Sequence, residues 1–255
     1  SRPPVAVAVA EYRTVSIDMA GGSWGGSDAK RTIRAINRAQ TCRITSVSER
    51  KPRVLLVHGL LNADWWLLPL AARLRAEGFE TALFGYSSVL DGPERAVPKL
   101  LERLRREPAD ALVGHSLGGL IALESLRQAP ELAVSRVVCL GSPLCGSQTA
   151  RNLAASPWTR PLLGRSAPML AGGLAGWDGP AQVGVVAGDV AHGLGRLFAR
   201  FDGDSDGTVG LEETRLPGLA DHCTVHSSHT GLVFSPAAVR QAAHFLRHGR
   251  FEHAA

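Results

Sequence analysis

From Lys51 to the C-terminus the sequence alternates short apolar runs, rich in β-branched residues, with stretches of helical amphipathic period, and few folds accept such a pattern. A strand of four or five residues that is apolar at nearly every position has no face to offer water, so it must be covered on both sides. Strands separated by helix-length stretches pair in parallel, because a parallel connection needs a dozen or more residues to cross over. The expectation is an α/β fold: a mostly parallel central sheet with helices on both faces. The strands fall at VLLV (54–57), ETALF (80–84), ALVG (111–114), RVVCL (136–140), QVGVV (182–186) and CTVH (223–226). Helices are expected from Trp66 to Ala76, stopping at Gly78, from Pro93 to Arg106, ending before Pro108, and from Ser116 to Gln128. A last helix starts at Ser235-Pro236, a capping serine and a first-turn proline, with Val239, Ala243 and Leu246 along one stripe.

At 255 residues the chain can be organised by one core. Residues 1–50 alternate weakly and carry GGSWGG, which reads as an N-terminal extension of edge strands belonging to the same domain; residues 51–255 form the core. The stretch from Cys145 to Pro180, rich in Gly, Pro and Ala, follows neither strand nor helix period and reads as an insertion able to cover a site as a lid. The alternative is a surface connection with short helices.

Apolar residues make up 45% of the chain and charged ones 20%, an ordinary globular balance, and no apolar run reaches the roughly 18 residues of a membrane span. The net charge of +5 is scattered; Arg103, Arg105 and Arg106 read as a solvated helix face without an interleaved aromatic platform, so no nucleic-acid partner is expected. Cys42, Cys139, Cys145 and Cys223 show no CxxC spacing, which favours buried thiols over a metal site and leaves one disulfide, Cys145 with Cys223, open. The chain begins at Ser1 rather than Met, and Val5 to Ala10 is too short for a secretion signal. Compartment is therefore open, with the cytoplasm as the default, and oligomeric state is unknown.

The chemistry concentrates at GHSLGG (114–119), a Gly-x-Ser-x-Gly pattern that is weak alone in a chain with 28 glycines. Its setting is specific. The apolar run ALVG leads straight in and the helix-forming LIALESLRQ leads straight out. A serine on so sharp a turn is forced into a strained backbone, and residues two before and two after must lack side chains, which Gly114 and Gly118 satisfy. Ser116 is then the expected nucleophile, standing at the carboxyl edge of the sheet where a helix N-terminus favours developing negative charge. A serine cap beside a glycine turn is the alternative, and the strand and helix flanks speak against it.

Acyl transfer needs two donors for the developing oxyanion. The backbone amides of Leu117, after the nucleophile, and Leu60, after the VLLV-His58-Gly59 turn, are expected to supply them, with His58 as an anchor of its loop. Among nine histidines, His229 lies on a short loop between the last strand and the last helix and is the expected base, with His226 second; His115 is expected to point away from Ser116. The acid that orients the base should follow QVGVV. FDGDSDGTV offers Asp202, Asp204 and Asp206, of which Asp206 is chosen because Gly207 permits a tight turn and Thr208-Val209 resumes an ordered segment; Asp189 is the outside candidate. That segment also fits calcium-loop spacing, with Asp202, Asp204, Asp206, Gly207 and Glu213 at positions one, three, five, six and twelve. Asp206 can hardly ligate calcium and orient His229 at once, the exit is broken by Pro217 and Gly218, and no metal is expected.

The succession HGL, GHSLGG, GSPLCGS, GDSDGTV and SSHTGL resembles bacterial esterases and lipases of the α/β-hydrolase superfamily from about residue 51 to the end. The resemblance implies a triad of Ser116, Asp206 and His229, an oxyanion hole from Leu60 and Leu117, no organic cofactor, and Cys145 near the acyl pocket. With Leu61, Trp65 and Trp66 around that pocket, the substrate reads as a small-molecule or lipid ester with an apolar acyl part, reached with interfacial contact but no integral membrane segment. Trp65 and Trp66 serve equally well as core packing. Thioesterase and polyester depolymerase share the machinery, and a hydrolase-like binding protein is the non-enzymatic alternative.

Overall fold

The computed structural model describes residues 50–192 and 203–253. The described residues from Lys51 onward belong to one compact unit, and everything below concerns it. The edge strands expected before residue 50 lie outside the described residues.

Six strands form one sheet: β1 (Arg53–Val57), β2 (Glu80–Phe84), β3 (Ala111–His115), β4 (Arg136–Leu140), β5 (Gln182–Gly188) and β6 (Asp221–Val225), in the order β2-β1-β3-β4-β5-β6 with every pairing parallel. All six runs read from the sequence are strands. Alternation sorts their side chains into two cores. Leu55, Val57, Leu112, Val137 and Val183 face one side, and Val54, Leu56, Val113, Val138 and Val186 the other. Burying each such side chain is worth about 1.5–3 kcal/mol, so a one-residue slip of register would reverse every assignment at once.

Helix α1 (Leu68–Ala76) follows a 3-10 turn at Asp64–Leu67. The helix expected from Trp66 therefore starts two residues later, because Pro69 lacks an N–H and is tolerated only in a first turn. It covers the second core with Leu70 and Leu74. Helix α2 (Gly92–Arg106) turns Val97, Leu100 and Leu104 to the first core and leaves its arginines outside, where Arg103 pairs with Glu107 and Arg106 with Glu102. Helix α3 (Leu117–Gln128) leaves the end of β3 and is buried along most of its length.

The stretch after β4 follows no single period because its helices are short. It is not without helical character but folds into α4 (Gln148–Ala155), α5 (Arg160–Leu163) and α6 (Ala167–Gly172). Helices of one to two turns are too short to print a period on the sequence, and Pro161 and Pro168 open two of them while Gly164 and Gly173, at φ 51° and 66°, close them. Helix α7 (Pro236–His248) is capped by Ser235, whose hydroxyl accepts from the Ala238 amide, and packs Val239, Phe245 and Leu246 on the second core. Cys139, Cys145 and Cys223 are free thiols, so the open pairing of Cys145 with Cys223 is not formed. Among the described residues no helix is long and apolar enough to cross a membrane.

Strand order reverses between β1 and β3. The chain steps outward from β1 to β2, then crosses to β3 and proceeds the other way. In an open parallel sheet that reversal opens a crevice beyond the carboxyl ends of the two strands.

Candidate active site

Ser116 sits at that crevice, between β3 and α3, with φ 53° and ψ −122°. A positive φ at a residue with a Cβ costs on the order of 1–3 kcal/mol and persists only where the surroundings impose it. Here they do. The Ser116 amide donates to the Leu140 carbonyl at 2.9 Å, and the Gly119 amide donates to the Ser116 carbonyl at 3.1 Å. A Cβ on Gly114 would stand 2.4 Å from the Gly119 nitrogen, and one on Gly118 would stand 2.1 Å from the Val57 carbonyl oxygen. The two flanking glycines are thus required by backbone contact on both sides of the bend.

The turn after β1 closes on the same point. His58 is buried, its ring nitrogens lie 2.9 and 3.1 Å from the carbonyls of Gly59 and Tyr86, and its ring stacks on Tyr86. Burial pushes its pKa down, and the ring anchors its loop through these two contacts. Gly59 approaches so closely that a Cβ there would lie 3.0 Å from that of Ser116. Leu61 also has a positive φ, 58°, and its amide donates to Ser88 Oγ at 3.0 Å. Among the described residues no turn or loop carbonyl takes the amides of Leu60 or Leu117.

Across the crevice, the loops after β5 and β6 bring Asp206 and His229 together. His229 Nδ1 donates to Asp206 Oδ2 at 2.7 Å, and the His229 amide donates to the Asp206 carbonyl at 2.9 Å. The other carboxylate oxygen accepts from the amides of Thr208 and Val209 at 2.9 and 2.7 Å. Asp206 is 2% exposed and His229 9%, so the carboxylate is buried with its oxygens partnered, as an interior charge must be. Room for the pair comes from two glycines, Gly141 at the head of GSPLCGS and Gly188, to which no role was assigned above. A Cβ on Gly141 would stand 3.0 Å from Asp206 Oδ2, and one on Gly188 would stand 2.9 Å from Asp206 Cβ. Their signal was position: one follows β4, the other ends β5, both at the carboxyl edge.

Ser116 and His229 line one cavity of about 270 Å³. No hydrogen bond joins them; the serine hydroxyl and the imidazole open on shared space. Leu60, Leu61 and Trp66 form one wall, and Leu153, Leu163 and Leu170, one from each of α4, α5 and α6, form another. Among the described residues no Asp, Glu, Lys or Arg side chain lines it. Trp65 is not in the lining: it is 62% exposed and meets Trp66 edge-on at 6.2 Å. Cys145 is not either, because its amide is tied to the Glu213 carbonyl and its Sγ turns to the Arg215 carbonyl at 3.2 Å. His115 departs from expectation in the other direction. Rather than pointing away, it lines the cavity, because it is the last residue of β3 and its ring reaches over the strand end to His229.

A sequence model described as the alpha/beta hydrolase family matches residues 54–249. The chain belongs to the alpha/beta hydrolase family. No curated protein matches it. Among solved structures, this alpha/beta hydrolase is similar to phospholipase PlaB from Legionella pneumophila, at 18% identity and a TM-score of 0.58, over 76% of this chain and 56% of that one. Lipase B from Aspergillus fumigatus matches at 16% identity and a TM-score of 0.56, over 78% of this chain and 53% of that one. NosK from Streptomyces actuosus matches at 21% identity and a TM-score of 0.51, over 77% and 97% of the two chains. This chain thus spans little more than half the length of the first two, and at these identities the likeness is one of fold.

The remaining candidates lie apart. His226 is exposed and pairs with Asp189, Nδ1 to Oδ1 at 3.1 Å, outside the cavity lining. Asp202 lies outside the described residues. Glu213, which a calcium loop would use at its twelfth position, accepts from the amides of Gly210 at 2.9 Å and Gln148 at 2.5 Å. Of the carboxylates that a calcium loop would use, Asp206 and Glu213 are thus engaged by protein donors.

Proposed function

We propose that this alpha/beta hydrolase cleaves carboxylic esters with an apolar acyl part, through an acyl-enzyme on Ser116. His229 Nε2 takes the hydroxyl proton as Ser116 Oγ attacks the ester carbonyl, and the Asp206 carboxylate holds the ring with Nδ1 protonated and stabilises the imidazolium. The amides of Leu60 and Leu117 donate to the oxyanion. On collapse of the tetrahedral intermediate, His229 returns the proton to the departing alkoxide. Water, deprotonated by the same nitrogen, then attacks the acyl carbon and releases the acid and Ser116. The acyl group lies along Leu61, Trp66 and the leucines of 145–180, a stretch that acts as a cover over the pocket within the 51–255 core.

The observation that carries this reading is the 2.7 Å bond from His229 to a buried, fully partnered Asp206, facing the same cavity as a serine held at φ 53°. The apolar acyl preference rests on a lining that, among the described residues, holds no carboxylate, ammonium or guanidinium. Two of the similar structures are named a phospholipase and a lipase, which is compatible with an ester substrate here.

A series of p-nitrophenyl esters of rising acyl length, read with wild type and Ser116→Ala, tests it. Wild type is expected to prefer medium chains to acetate, and the variant to lose on the order of 10³-fold or more in kcat with its fold intact. Full turnover by Ser116→Ala removes the nucleophile; turnover of acetate alone removes the apolar acyl pocket.

A further inference from the structure

The mechanism above leaves His115 unused, yet its ring touches three parts of the machinery. Its Nε2 lies 3.1 Å from the His229 carbonyl oxygen. A carbonyl only accepts, so Nε2 carries the hydrogen and Nδ1 is left as a bare lone pair. That nitrogen is buried without a partner. It faces the turn after β1: a Cβ on Gly59 would stand 3.3 Å from it. The ring also packs on that of His229, centroids 4.9 Å apart and planes at 43°, and the residue is 2% exposed.

Asp206 fixes His229 relative to the loop after β5, through one backbone and one side-chain bond. Neither bond says how far His229 stands from β3, which carries the nucleophile. Among the described residues the hydrogen bond that ties the His229 turn to β3 is the one from His115. A leucine would fill the same space without the unmet Nδ1 but would take the donor away from the His229 carbonyl, so it is that bond and not packing alone that accounts for an imidazole here. Burial also holds the ring neutral, its pKa pushed down to about 3, and it therefore adds no positive charge beside an imidazolium forming on His229.

We infer that His115 is a positioning residue: donating to the His229 carbonyl while abutting Gly59, it sets the base, the Leu60 turn and Ser116 at working separation. The inference rests on the assignment of Ser116 and His229 proposed above. A displacement of about 1 Å between reacting groups costs up to roughly 100-fold in rate.

The experiment compares wild type, His115→Leu and His115→Gln in the full chain with p-nitrophenyl butyrate, with thermal unfolding as the check on folding. His115→Leu is expected to lose roughly 10- to 100-fold in kcat with little change in KM. His115→Gln, whose amide N–H can reach where Nε2–H stood, is expected to recover most of it. Wild-type kcat in folded His115→Leu overturns the inference, and so does folded His115→Gln falling as low as His115→Leu. Should the variants not fold, nitrogen NMR of the wild-type imidazoles decides: an uncharged Nε2–H tautomer at His115 from about pH 5 to 9 is expected, and the Nδ1–H tautomer or a charged ring overturns it. Failure of the catalytic reading looks different, with wild type inert to these esters and Ser116 unlabelled by a fluorophosphonate.

Discussion

At the scale of single residues, the glycines around Ser116 differ in kind from the others. Gly118 has backbone oxygen where a Cβ would go, at 2.1 Å, whereas a Cβ on Gly78 meets nothing within 4 Å and only its φ of 92° objects. Gly78→Ala should therefore cost about 1–2 kcal/mol, the penalty of a left-handed backbone, and Gly118→Ala more than about 4 kcal/mol or no folded protein. Urea unfolding of the two variants checks the order; equal costs would mean the elbow relaxes. Both flanking glycines were legible in the sequence because the motif has a steric reason for them. Gly141 and Gly188 were not, since what they avoid, the Asp206–His229 pair, is assembled from residues far away in the chain. For the same reason His115 was misjudged: its contacts are set by where the turn after β6 returns, which spacing along the chain does not encode.

At the scale of elements, strands read well and the short helices between residues 145 and 180 did not. A strand buried on both faces is apolar throughout, and that signature survives in five residues; α4, α5 and α6 have too few turns for any stripe. What holds α4 is also invisible locally. Its N-terminus is met by Glu213, whose carboxylate accepts from the Gln148 amide and lies 4.0 Å from the Arg151 guanidinium, and Thr149 Oγ1 donates to the Thr208 carbonyl at 2.7 Å. These bonds tie α4 to the loop that carries Asp206. Glu213→Ala is expected to speed amide hydrogen exchange in residues 148–155 by roughly 10-fold while leaving β3 and β4 protected, the scale of one lost charge-assisted bond. Exchange unchanged across α4 would mean that the tether contributes nothing to its stability.

At the scale of the whole molecule, buried imidazoles couple folding to pH. Burial lowers the pKa of His58, of His115 to about 3 and of His222 to about 4, the last helped by the Arg215 guanidinium. Each folded value lies below the unfolded one near 6.5, so between those values the unfolded chain binds protons that the folded chain refuses. The stability they contribute is complete above about pH 6.5 and is lost as pH falls toward 4. The urea midpoint should thus decline steadily from about pH 6.5 to 4.5, and His115→Gln should reduce the slope by one proton's share. A flat midpoint across that window would require the rings to be protonated while folded.

The parallel sheet has a second consequence. Because all six strands run the same way, the turns that gather Ser116, Asp206 and His229 leave one rim, and the returns to the next strand occupy the other. The link from α3 to β4 belongs to that far rim, with Pro130, Glu131 and Ala133 open to solvent. Among the described residues, sequence drift or grafted peptide there lies at the opposite rim from Ser116, Asp206 and His229, a side on which new attachments can be built away from the proposed chemistry.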